Sequence, residues 1–208
     1  MDTKIIHLSQ NYPEAINSSI DVLKNGGIFI FPTDTVYGIG CLWNKDDAIN
    51  HIYEIKQRDY QKPLSAYFSS IEMMKDYVAD IPDIFYKIAE KNLPGCLTLI
   101  LNKKDKISNL ATSNLQTLGI RIPDNKFIKD LIDKLGEPIL GTSANISNEA
   151  SIKTAMDAFQ IFNQRVSLII EDDQNMIGIE STIIDLTQVP PKILRQGALK
   201  LSDIQNIS

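Results

Sequence analysis

The chain has 208 residues, 43% of them hydrophobic and 23% charged, with a formal net charge of -5. This is a globular composition with material for one core, and its bulk acidity argues against a surface built mainly to hold nucleic acid by counterion release. Two distant cysteines, Cys41 and Cys96, follow no C-x-x-C spacing and suggest neither a disulfide framework nor a cysteine zinc site, which fits a reducing compartment.

No apolar run approaches the ~18 residues of a membrane span, and the first residues lack a signal-like apolar region, so a cytoplasmic protein without membrane contact is expected. His7 and His51 are too few for a histidine metal centre, and a Ser-His-Asp triad would need a chance meeting in space.

Pro13 to Lys24 reads as a helix: Pro13 suits a first turn, Ile16, Ile20 and Leu23 share a face, and Asn25-Gly26-Gly27 stops it. Phe29 to Phe31 is an apolar strand running into Pro32, Thr33, Asp34, Thr35, Tyr37, Gly38 and Gly40. The hydroxyls and carboxylate there lie at a strand's carboxyl end, where open α/β sheets bind ligands; the same residues also suit a plain turn.

A helix is expected from about Lys45 to Lys56, with Asn44 as N-cap and Ile49, Ile52 and Tyr53 inward. Lys56, Arg58 and Lys62 follow one another closely. They read either as a solvated loop beside a helix C-terminus or as a cluster of cations at a strand entrance. Leu64 to Phe68 is the next strand, and a helix begins near Ser69 or Ser70 with Glu72 placed for a capping box.

Pro82 to Asn92 is helical, Leu93-Pro94-Gly95 breaks it, and Leu97 to Leu101 is a strand. Lys103 to Asn114 has little periodicity and reads as a flap or a surface loop. Leu118 to Pro123 then carries Arg121 among apolar neighbours, where it needs an anion, either a structural carboxylate or a ligand.

Phe127 to Leu135 is a helix closed by Gly136, and Pro138 to Leu140 is a strand entering Gly141-Thr142-Ser143-Ala144-Asn145-Ile146-Ser147. Hydroxyls and an amide without bulky or acidic neighbours suit donors around an anion, or a helix cap. Lys153 to Phe159 reads as a helix, Val166 to Ile170 as a strand, and Glu171 to Gly178 as an acidic loop. Glu180 to Leu186 and Lys192 to Arg195 are strands joined through Val189-Pro190-Pro191.

Hydroxyls at Thr35, Thr142, Ser143 and Ser181, with cations at Lys56, Arg58, Arg121 and Arg195, imply a pocket for a polyanion. Neither G-x-x-x-x-G-K-[ST] nor G-x-G-x-x-G occurs, so a nucleotide would be held by side chains and strand-end loops rather than a P-loop.

Through Phe31-Pro32-Thr33-Asp34-Thr35-Val36-Tyr37-Gly38, Ile55-Lys56-Gln57-Arg58, Pro94-Gly95, Gly119-Ile120-Arg121-Ile122-Pro123, Thr142-Ser143-Ala144-Asn145, Ser181-Thr182-Ile183 and Leu194-Arg195, the chain resembles the YrdC-like family of threonylcarbamoyl-AMP synthases. The motifs run in order along nearly the whole chain. The resemblance implies one domain over residues 1–208, an α/β fold with a twisted, open, mixed sheet around a central basic cavity. It also implies a nucleotidyltransferase that joins L-threonine, bicarbonate and ATP, with magnesium, into L-threonylcarbamoyladenylate and pyrophosphate.

By the same resemblance the product feeds tRNA threonylcarbamoyladenosine modification, and the tRNA-threonylcarbamoyl transferase machinery lies downstream. Catalytic roles fall on Lys56, Arg58, Ser143 and Asn145 around the ATP phosphates, with Thr117, Ser151 and Arg195 also on the ATP side. Threonine falls near Thr35, Tyr67, Arg121, Thr142 and Ser181. Asp34 is left between organising magnesium and capping the turn.

Asp59, Cys96 and Gln196 stand where the family commonly has proline, and Tyr67 where longer relatives often have histidine. Those relatives carry an additional C-terminal domain beyond the point where this chain stops. The alternatives are a double-stranded RNA-binding module, with RNA or tRNA as the contact, and a carbamoyl-transfer domain of the hydrogenase-maturation type.

Overall fold

The computed structural model describes residues 2–174 and 176–200. Eleven strands form one mixed sheet: β1 (Lys4–His7), β2 (Phe29–Phe31), β3 (Gly38–Leu42), β4 (Ser65–Tyr67), β5 (Val78–Ala79), β6 (Leu97–Lys103), β7 (Thr117–Arg121), β8 (Ile139–Ser143), β9 (Leu168–Glu171), β10 (Thr182–Asp185) and β11 (Lys192–Arg195). The order across the sheet is β1-β9-β2-β3-β8-β4-β7-β6-β10-β11, with β5 added beside β6. The α/β class and the mixed sheet agree with the expectation from sequence.

Among the described residues six helices dress it: α1 (Tyr12–Lys24), α2 (Asp46–Ile55), α3 (Ile71–Met74), α4 (Asp83–Asn92), α5 (Lys126–Leu135) and α6 (Ala155–Phe162). Their ends follow local chemistry. Asn11 and Asn125 accept the Glu14 and Ile128 amides at the starts of α1 and α5, and Gly136 closes α5 in the left-handed region at φ 70°. The expected cap Asn44 is displaced by Lys45, which caps α2 without a side-chain bond. Ser70 caps α3 by accepting the Met73 amide.

Strand alternation divides the core in two. Phe29, Phe31, Ile139, Leu168 and Ile170 pack with Ala15, Ile16 and Leu23 of α1 and Phe127, Ile128, Leu131 and Ile132 of α5. Their neighbours Ile30, Leu140 and Ile169 belong to the opposite face, with Ile49, Ile52 and Tyr53 of α2, Phe85 and Ile88 of α4, and Phe162 of α6.

The α1 and α5 layer covers the β1-β9-β2-β3-β8 side of the sheet and reaches as far as Tyr67 of β4. Across β7, β6, β10 and β11 the same face is left without a helix, and it becomes the floor of a cavity. Gly38, Gly40 and Gly141 let β3 and β8 pack closely at the border. A Cβ at Gly38 would meet the Phe31 ring at 2.6 Å, and one at Gly40 or Gly141 would meet a backbone oxygen at 2.5 or 2.7 Å.

Candidate active site

The cavity encloses about 800 Å³ between the carboxyl end of β8 and the open sheet face. Pairing registers bring one row of side chains across that face: Ile139 beside Tyr67, Tyr67 beside Arg121, Arg121 beside Thr98, Thr98 beside Ile183, and Ile183 beside Arg195. A second row runs Gly141, Ser65, Gly119, Ile100, Asp185. Small residues in this row keep the floor low, and a Cβ at Gly119 would lie 2.8 Å from Ser65 Oγ. Ligand contact is therefore offered by a sheet face as well as by the strand ends that the sequence suggested.

Arg121 is the centre of one half. Its Nη2 donates to Asp34 Oδ1 at 2.6 Å and to Thr35 Oγ1 at 2.5 Å, and the guanidinium lies 5.5 Å from the centre of the Tyr67 ring. Thr33 shapes the turn that presents these partners: its Oγ1 donates to Val36 O and accepts the Thr35 and Val36 amides. The structural carboxylate that Arg121 needed is Asp34, which also accepts the Cys96 thiol at 3.3 Å. Burial, then the Asp34 charge, pushes that thiol up to about 12.

Even so, Arg121 keeps a donor in hand. Its Nε is buried and has no hydrogen-bond partner, and the residue lines the cavity. A buried guanidinium N–H left in this way favours an arriving acceptor, and a carboxylate fits the fork.

The other half gathers Lys56, Arg58, Lys62 and Arg195. Lys56 Nζ donates to Ser143 O at 2.6 Å, Asn145 O at 2.5 Å and Asn145 Oδ1 at 3.2 Å. Burial, with the Arg58 charge second, lowers its pKa to about 7. The three oxygens act in the opposite direction by accepting the three ammonium protons.

Asn145 is fully engaged, since Oδ1 also accepts Ser143 Oγ at 2.7 Å and Nδ2 donates to Ile146 O and Glu149 O. Arg58 closes its own loop, donating to Lys62 O and Pro63 O. Lys56 and Asn145 thus tie α2 to the loop after β8, while Arg58 braces the rim.

Arg195 donates from Nη1 to Glu180 Oε2 and from Nε to Ser181 O, the latter at 3.0 Å. Ser181 Oγ and Thr98 Oγ1 are 2.8 Å apart. Glu180 was not singled out as a site residue from the sequence, where it only opens the expected strand Glu180 to Leu186; the strand itself begins at Thr182. Its Oε1 accepts Ser151 Oγ at 2.6 Å. Burial opposes its ionisation, but Ser151, Arg195 and Ser143 outweigh that and hold the carboxyl below its usual range.

Of the residues proposed from sequence, Lys56, Arg58, Tyr67, Thr117, Arg121, Thr142, Ser143, Asn145, Ser181 and Arg195 meet in this one cavity. Two stand back from it. Thr35 is fully buried behind Arg121, and Ser151 lies behind Glu180, so neither forms the wall. The acidic loop after β9 packs on the Thr33 to Tyr37 turn, with Ile177 N and Gly178 N donating to Asp34 O and Thr35 O. Tyr37 fastens it by donating to Asp173 Oδ1 at 2.6 Å.

Both oxygens of Asp34 have donors already, which gives it a role beyond the two considered from sequence. Among the described residues no cluster of three or more His, Cys, Asp or Glu is arranged to hold a metal ion. No helix among them is long and apolar enough to cross a membrane.

A family model for Sua5/YciO/YrdC proteins, described as "Telomere recombination", matches residues 21–197. The chain is 34% identical over 206 residues to a threonylcarbamoyl-AMP synthase of Pyrococcus abyssi, covering 99% of this chain and 61% of that protein. It is 32% identical to a putative threonylcarbamoyl-AMP synthase of Methanocaldococcus jannaschii, covering 98% of each. Its fold matches that of P. abyssi Sua5 in complex with L-threonine with a TM-score of 0.91 at 32% identity, over 99% of this chain and 61% of that one. The chain spans about three fifths of the P. abyssi and Bacillus subtilis relatives it matches, at 61% and 58% of their lengths.

Proposed function

From a chain that belongs to the Sua5/YciO/YrdC family, we propose a threonylcarbamoyl-AMP synthase that forms L-threonylcarbamoyladenylate and pyrophosphate from L-threonine, bicarbonate and ATP. The observation that carries this reading is Arg121: a buried guanidinium with a spare Nε, opening on a cavity whose far side holds Lys56, Arg58 and Arg195. That arrangement suits an amino-acid carboxylate at one end and a chain of phosphates at the other.

Arg121 would grip the threonine carboxylate, with Tyr67 beneath it and Thr142 and Ser181 supplying hydroxyls to the substrate amine or hydroxyl. Thr35 would act one layer back, by holding Arg121. Arg58, Ser143, Thr117 and Arg195 would face the nucleotide, while Lys56 and Asn145 fix the loop that presents Ser143 and Lys56 adds positive potential.

The threonine amine attacks bicarbonate, whose C–O bond breaks as water leaves, or adds to carbon dioxide with loss of an amine proton to solvent, to give a carbamate; a carbamate oxygen then attacks the α-phosphorus as the α–β P–O bond breaks and pyrophosphate leaves. No protein nucleophile is needed, in keeping with a cavity that contains no histidine. The protein contributes positioning and charge stabilisation of the phosphoryl oxygens. Magnesium would enter with the phosphates, since Mg²⁺ is commonly held by substrate oxygens and one or two carboxylates; of the carboxylates lining the cavity, Glu180 is paired with Ser151 and Arg195 and Asp185 with Thr187 and Gln188, so Glu149 is the one that would reach it.

The product would supply tRNA threonylcarbamoyladenosine modification in a cytoplasmic setting. RNA binding as the main role is disfavoured by the net charge of -5 and by three carboxylates among the cavity's cations. Pyrophosphate release by the purified chain should require ATP, threonine and bicarbonate together. Release that ignores threonine, or no release with all three, would overturn the proposal.

A further inference from the structure

Glu180 is the carboxylate paired with a cation on the cavity's nucleotide side, as Asp34 is with Arg121 on the other. Asp185 turns its oxygens to Thr187 and Gln188 instead. Glu180 holds Ser151 Oγ on one oxygen and Arg195 Nη1 on the other, and its charge also faces Lys56 and Arg58. A carboxylate bound by a hydroxyl and a guanidinium, within a basic cavity, occupies the position that suits a phosphate.

The backbone beneath it is clamped. Ala198 N donates to Glu180 O at 2.8 Å, Arg195 Nε to Ser181 O at 3.0 Å, and Gly197 N to Thr182 Oγ1 at 2.9 Å. A Cβ at Gly197 would come within 2.2 Å of Glu180 O, so main chain meets main chain there without room to shift. The side chain, by contrast, can change position through ordinary torsional steps.

We propose that Glu180 is a resident anion of the nucleotide side, a side-chain gate that must leave Ser151 and Arg195 before a phosphate group can take them. This rests on the reading of the cavity as a nucleotide pocket and adds a specificity-determining residue to it. The gate lowers the affinity of every polyanion that uses Ser151 and Arg195 by a common factor. It leaves the Arg121 end of the cavity, which would hold the threonine carboxylate, untouched, because Arg121 works with Asp34 and Thr35 and not with Glu180; Arg195 Nη2, 3.3 Å from Ser181 Oγ, links the two sides only at the substrate's hydroxyl end. When pyrophosphate leaves, the carboxylate returns and resists its rebinding.

The opposite role, a carboxylate that holds Arg195 and Ser151 in place for ATP, predicts the opposite sign. Calorimetric titration of inorganic pyrophosphate and tripolyphosphate into the wild-type chain, Glu180→Gln and Glu180→Ala separates them. Removing a like charge beside a bound anion should tighten both ligands by about tenfold or more in each variant. Threonine affinity should stay within about twofold, which also reports an intact fold.

Equal or weaker polyanion binding in the variants, with ATP still bound by the wild type, overturns this inference alone. No polyanion binding by any form overturns the nucleotide reading with it. A crystal structure of the wild type with pyrophosphate decides the matter without a variant: Glu180 displaced from Arg195 supports the gate, and Glu180 still paired with it refutes the gate.

Discussion

Replacing Arg121 with methionine removes one half of a buried pair whose members are 5% and 7% exposed. Asp34 would keep only the Cys96 thiol as a side-chain donor, a weak replacement for a guanidinium. Breaking a buried ion pair by deleting one partner costs about 3–5 kcal/mol, a large part of a typical stability of about 5–15 kcal/mol. With a urea dependence of roughly 2–3 kcal/mol per molar, the unfolding midpoint should fall by about 1–2.5 M.

Asp34→Asn combined with Arg121→Met removes both charges and should recover most of that loss. Threonine binding should not recover. The substrate carboxylate forfeits charge-assisted hydrogen bonds worth about 1.5–3 kcal/mol, or about 10- to 150-fold in affinity. Urea denaturation and threonine calorimetry on the single and double variants measure the two effects separately. An unchanged midpoint in Arg121→Met would show that the pair does not hold the turn, and a double variant that binds threonine like the wild type would refute Arg121 as its receptor.

Two further outcomes follow from the same geometry. Lys56 should titrate below its ordinary 10.5, between that value and about 7. Because its folded pKa is depressed, the unfolded chain binds more protons over that window, and the Lys56 contribution to stability rises as pH rises through it. Side-chain NMR should place the midpoint there and Lys56→Met should flatten the slope; a midpoint at 10.5 would contradict the burial. Gly197→Ala should destabilise by about 2 kcal/mol or more, since its Cβ would lie 2.2–2.5 Å from the Glu180 and Ser181 backbone. A thermal midpoint equal to that of the wild type would show that the two segments can separate.

Much of the fold could be read from periodicity and punctuation. The helix from Pro13 and the one ended by Gly136 follow from apolar spacing with a stop, and both appear within a residue or two. Strand β3 is hidden because Gly38 and Gly40 depress the strand signal; they are required by the Phe31 ring and the Leu140 carbonyl, contacts no local window contains. Strand β1 is four residues whose pairing partner begins at Leu168.

The cavity's residue types were also legible, but their depth was not. Thr35 and Arg121 both belong to motifs, yet only register and burial tell that one stands behind the other. Glu180 escaped because its importance lies in what it touches, Ser151 and Arg195, and neither contact leaves a spacing in the sequence.

The row from Tyr67 through Arg121, Thr98 and Ile183 to Arg195 draws on strands far apart along the chain. Such non-local pairing is slow to form, since each loop must close before its contacts reward it. The cavity therefore cannot exist until β10 and β11 have docked, and a partly folded chain has nowhere to hold a substrate. A ligand lying across that row would act as a clasp between early and late segments. Its binding energy would be felt as slower opening of β10 and β11.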